Sequence, residues 1–127
     1  ERDHDELLSF LNEVELDWAG FFSYSREDGT YAAGLDGAVP TELVEERLLE
    51  LHQLQDESTG ARRRGLIGCK VEVLVDAPGI GRTHREAPEI DGVVLVPAGL
   101  ATGSFADVVI TGVAGVDLEA SAAAEVA

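Results

Sequence analysis

Residues 81–94, GRTHREAPEIDGVV, crowd Arg82, His84, Arg85, Glu86, Glu89 and Asp91 into one short stretch that then runs straight into an apolar segment, Val93 to Val96. Titratable groups at this density solvate a connection, exchange protons with a substrate, or hold a charged partner. Pro88 fixes its own φ and Asp91-Gly92 supplies a tight turn, so these residues have a structural account. Glu86, Glu89 and Asp91 are the candidates to meet a basic partner, and Arg82 and Arg85 are expected to pair with those acids rather than reach outward. A second set lies in FFSYSREDGT, residues 21–30, where Ser25, Arg26 and Thr30 follow an aromatic stretch. If that stretch is a strand of an α/β barrel, its end points to the active-site face, and Ser25, Arg26 and Thr30 border a cofactor or substrate. No catalytic nucleophile with a partnering base stands out. His4, His52 and His84 are scattered and Cys69 is the only cysteine, whereas metal and iron–sulfur sites need several ligands together.

Positioning these residues requires elements, and the apolar periodicity supplies them. Leu7, Leu8, Phe10, Leu11 and Val14 recur at three- and four-residue steps, predicting a helix over 4–16. Residues 17–24 read as a buried aromatic strand. Helix and strand together make half of a βαβ unit, so residues 1–38 are expected to be the end of a larger α/β domain. Residues 39–65 form a linking helix from about Thr41 to Arg64, its stripe being Leu43, Val44, Leu48, Leu51 and Leu54. Arg62, Arg63 and Arg64 then fall in its last turn, where cations complement the helix dipole. From Leu66 the period becomes two, Val71, Val73 and Val75 alternating with Glu72, Leu74 and Asp76, and Pro78-Gly79 turns the chain. Five short segments punctuated by Gly and Pro predict a small five-stranded, antiparallel, OB-like barrel over 66–120. Residues 121–127 read as a frayed tail. The class is α+β.

Composition narrows the partners. The chain of 127 residues carries a formal net charge of −16. From Leu66 onward, three cations (Lys70, Arg82, Arg85) face nine acids, a balance of −6, and Phe105 is the only aromatic. Nucleic-acid binding draws on basic groups and stacking platforms, so the barrel is expected to be a poor binder of nucleic acid and a suitable dock for a basic polypeptide. No apolar run approaches the ~18 residues of a membrane span, and a single cysteine fits a reducing compartment, so the expected location is the cytoplasm.

The quoted motifs carry a resemblance. GRTHREAPEIDGVV resembles the signature of the TRAM domain that ends the radical-SAM methylthiotransferases. FFSYSREDGT is similar to that family's last catalytic-barrel strand, and EERLLELHQLQ, residues 45–55, to its linking helix. APEIDG looks like the branch acting on small-subunit ribosomal protein twelve. The resemblance implies [4Fe–4S] clusters and S-adenosylmethionine in a full-length enzyme, none of them held by these residues alone. It also implies a protein substrate that is basic, which agrees with the charge. Two other readings stay open: the tRNA-modifying sister enzyme, and a freestanding OB-like binding module.

Overall fold

A computed structural model describes residues 1–123 and divides them into two compact units, Glu1–Ser58 and a second one beginning at Thr59. In the first unit, α1 (Arg2–Val14) ends where Glu15 turns left-handed at φ 50° and donates its N–H to the Leu11 carbonyl. Leu11 is the one fully buried residue of this helix; Phe10 and Val14, which the periodicity placed in the core stripe, lie exposed. Residues 17–24 form no strand among the described residues, so the expected sheet element is absent. Phe21 sets its ring edge-on to His52 at 5.5 Å, while Phe22 is 93% exposed. β-propensity describes a side chain suited to a pleated surface; it does not supply the neighbouring strand. A short 3-10 turn, Ala32–Gly34, leads toward α2 (Thr41–Arg64). The Pro40 carbonyl accepts the Leu43 and Val44 N–H groups, so Pro40 rather than Thr41 stands at the helix boundary. Leu51 and Gln55 of α2 are buried, and the Gln55 amide donates to the Leu16 carbonyl.

The second unit begins inside α2 and holds β1 (Lys70–Ala77), β2 (Ile80–Arg82), β3 (Val94–Leu95), β4 (Phe105–Ala114) and β5 (Asp117–Ala122). They close into a barrel in the order β1-β2-β3-β5-β4. The expected barrel is there, with one correction: β3 and β5 run parallel, Val94 opposite Leu118 and Leu95 opposite Glu119. A closed ring with an odd number of strands cannot alternate direction throughout, so one neighbouring pair must be parallel. Val73, Val75, Val94, Val96, Val108, Ile110 and Leu118 fill the interior. Along β1 the alternation holds, with Val73 and Val75 inward and Glu72 and Asp76 outward. Pro78-Gly79 turns β1 into β2, Gly79 taking φ 76°, the positive value that this turn needs at its third residue. A register shift between Ile110 and Gly112 lets β4 serve β1 with its first half and β5 with its second. β5 continues through Ala122, two residues into the stretch expected to fray, and residues 124–127 of that expectation lie outside the described residues.

Candidate docking surface on the barrel

The loop between β2 and β3 is built around a buried carboxylate. Glu86 accepts the Thr83 backbone N–H at 2.7 Å and the Thr83 hydroxyl at 2.6 Å through one oxygen, and the Arg63 guanidinium through the other. The side chains of Arg63 and Glu86 are 1% and 0% exposed. Arg63 also donates from Nε at 3.1 Å and from Nη2 at 2.8 Å to the Val116 carbonyl. Burial pushes the Glu86 carboxyl up, but the bonds from Thr83 and Arg63 outweigh it and hold the group below its ordinary value of 4.5. One residue at the end of α2 therefore clamps two connections of the barrel, residues 83–92 and the β4–β5 turn.

Two expectations are corrected here. Glu86 was placed with Glu89 and Asp91 on an exposed charged face; it is interior, and its charge is matched by Arg63. Arg63, expected as one of three cations that complement a helix end, is instead buried in the barrel unit. The sequence held a partial signal for this, because Thr83-His-Arg-Glu86 has the spacing of a capping box, in which a carboxylate three residues on reaches back to a backbone N–H. Nothing in the sequence pointed from Glu86 to Arg63 or from Arg63 to Val116.

The other two acids stay near the surface. Glu89 is exposed at the loop tip with φ 62°, a left-handed value that costs a non-glycine residue on the order of 1 kcal/mol. Asp91 is half-buried, and one of its oxygens accepts the Ala87 N–H at 2.8 Å, while the Ala87 carbonyl accepts the N–H groups of Ile90 and Asp91. Gly92 follows so close to the β4–β5 turn that a Cβ there would stand 2.3 Å from the Val116 carbonyl oxygen. Val93 completes the seam by donating to Asp117 at 2.9 Å.

The barrel's three cations lie elsewhere. Lys70, Arg82 and Arg85 line one groove of about 510 Å³ together with Glu72, His84 and Phe105. Lys70 faces Asp107 at 3.6 Å, and Arg82 faces Asp76 at 3.0 Å. Arg82 thus pairs across the β1–β2 hairpin and not with the loop acids, because Leu74 opposite Arg82 brings neighbouring Asp76 within reach. Phe105 is 67% exposed at this groove. Cys69 is exposed, just before β1.

In the first unit, Ser25, Arg26 and Thr30 do come together in one exposed turn. Ser25 donates to Glu27 at 3.4 Å, Arg26 to the Ala33 carbonyl at 2.6 Å, and Thr30 to the Glu27 carbonyl at 2.7 Å. Arg26 also lines a concavity of about 550 Å³ with Tyr24, Leu35 and Val39. Among the described residues, no group of three or more His, Cys, Asp or Glu is placed to hold a metal ion, and no helix is long and apolar enough to cross a membrane.

Residues 67–123 match the TRAM domain family, and these residues contain all five strands, β1 to β5. The barrel is a TRAM domain. Over 93% of its length the chain is 44% identical to the ribosomal protein uS12 methylthiotransferase RimO of Burkholderia orbicola. The protein of the same name from Desulforudis audaxviator is 43% identical over 94% of the chain, and that from Moorella thermoacetica 48% over 76%. The chain spans only 22–28% of the length of these relatives. The matched TRAM residues leave out Arg63, although its partner Glu86 is among them. The TRAM domain as a folded object therefore includes the last turn of α2, in agreement with the compact unit that begins at Thr59.

Proposed function

We propose that this chain is the C-terminal portion of a ribosomal-protein methylthiotransferase, in which the TRAM domain docks the basic protein substrate. The similarity to RimO over nearly the whole chain carries the reading, since those relatives are named for action on ribosomal protein uS12. The aromatic segment 17–24 supports it too: Phe22 stands 93% exposed there, as an apolar residue does when the surface that covers it belongs to a larger domain. Ser25, Arg26 and Thr30, in the turn that follows, are proposed to border the active-site face of that larger domain. The chemistry implied by the family requires [4Fe–4S] clusters, which supply the electron that cleaves S-adenosylmethionine. A cluster takes several thiolates and this sequence has Cys69 alone, so these residues by themselves are proposed to be inactive, and their part is to position a substrate.

Charge supports a protein substrate. With Glu86 neutralised inside by Arg63, the exposed acids still outnumber the exposed cations of the barrel. Glu89 and Asp91 remain as the docking acids. The groove holding Lys70, Arg82, Arg85 and Phe105 favours a second reading, a nucleic-acid contact with a base stacked on Phe105. Asp76, Asp107 and Glu72 weaken it by offsetting the same cations.

A binding comparison separates the two. The 127-residue chain is titrated with purified uS12 and with tRNA at about 50 mM and about 200 mM salt. Saturable uS12 binding that weakens with salt, with tRNA binding at least tenfold weaker, is the expected outcome. Equal or tighter tRNA binding that Phe105→Ala and Arg85→Ala abolish would replace the protein-docking reading with the second one.

A further inference from the structure

The clamp around Arg63 holds two segments that each present an exposed branched aliphatic side chain. Ile90, at the tip of the β2–β3 loop, is 83% exposed, and Val116, on the β4–β5 turn, is 53% exposed. The two segments meet at Gly92, whose α-carbon sits against the Val116 carbonyl. Arg63 bonds to both segments, to Glu86 of the first and Val116 of the second. A lone aliphatic in solvent is common and needs no explanation. Here the loop is fixed at both ends by buried or half-buried polar bonds, and its tip residue Glu89 is held left-handed. Such bracing orders the backbone before binding and lowers the entropic cost of association. Flanking Ile90 are the two acids Glu89 and Asp91, on a domain with a surplus of acids.

We infer that Ile90 is the apolar anchor of the docking surface, and that it packs on the aliphatic stems of basic side chains of a cationic polypeptide. Glu89 and Asp91 form the charged rim. The partner's chemistry follows from that pairing: an aliphatic anchor has nothing to gain from a phosphate backbone, and a carboxylate rim repels one. Anchors at the centre of an interface carry most of the binding energy, while rim charges set rate and salt dependence. This inference rests on the protein-docking reading and adds which residue carries the affinity.

The 127-residue chain and its Ile90→Ala, Ile90→Val and Glu89→Gln variants are titrated with purified uS12 at two salt concentrations. Ile90→Ala is expected to bind roughly 10- to 100-fold more weakly with an unchanged salt slope, Ile90→Val to retain most of the affinity, and Glu89→Gln to flatten the slope with a smaller loss. Thermal melting of Ile90→Ala should match the parent, since the side chain is in solvent. Parent binding with no effect of Ile90→Ala overturns the anchor and leaves the docking reading standing. Absence of parent binding overturns both.

Discussion

Arg63→Met is expected to destabilise the TRAM domain by about 3–5 kcal/mol, because it leaves Glu86 as an uncompensated charge in the interior. A domain of this size has on the order of 5 kcal/mol in total, so the barrel of this variant should keep only about 0–2 kcal/mol and melt at a much lower temperature. Glu86→Leu should cost a similar amount, stranding the Arg63 guanidinium and the Thr83 N–H together. Combining Arg63→Met with Glu86→Leu is expected to recover much of the loss, since two apolar groups ask nothing of each other electrostatically. Denaturant unfolding followed by far-ultraviolet circular dichroism measures all three, and the double-mutant cycle isolates the pair. If each single variant cost less than about 1 kcal/mol, as exposed ion pairs do, the clamp would have no energetic substance.

The same carboxylate gives the domain an acid limit. Glu86 has its folded-state value held below the 4.5 of an unstructured chain by Thr83 and Arg63, against the opposing effect of burial. The unfolded chain therefore binds the proton more readily. Stability from this group is fully present above 4.5 and is lost as pH falls through the lower folded value. Glu86→Gln removes that dependence, so its unfolding midpoint should fall less steeply on acidification than the parent's.

Gly92→Ala is the second large effect, expected to cost about 1–3 kcal/mol. The new Cβ would lie 2.3 Å from the Val116 oxygen and 2.9 Å from the Val116 carbonyl carbon, both backbone atoms. That oxygen already accepts two bonds from Arg63, so it cannot yield without loosening the buried pair. The natural control is Gly99→Ala, where a Cβ meets nothing within 4 Å and the change should stay within about 0.5 kcal/mol. Equal melting temperatures for the two variants would mean that the seam between loop and turn is slack.

Local rules made much of this legible. The stripe from Leu43 to Leu54 predicted α2, and the alternation of Val71, Val73 and Val75 predicted β1. Pro78-Gly79 announced its hairpin turn. What escaped was long-range. Arg63 and Glu86 are far apart in sequence, each had an adequate local explanation, and a triple Arg at a helix end gives no sign of which member turns inward. Residues 17–24 failed differently: their composition asks for a sheet, and no described residue answers. The parallel pairing of β3 and β5 needed only the ring count, once closure was accepted. Ile90 gives no signal in the sequence, because a single aliphatic residue between two acids is an ordinary surface pattern.

The central claim is that the face bearing Ile90, Glu89 and Asp91 receives a basic polypeptide, while the groove at Phe105 does not receive nucleic acid. The most direct measurement is a backbone amide NMR titration of the isotope-labelled 127-residue chain with purified uS12. The account predicts saturable shifts concentrated at residues 87–93 and 115–117. Shifts confined instead to Lys70, Arg82, His84, Arg85 and Phe105, and reproduced by tRNA, would contradict it.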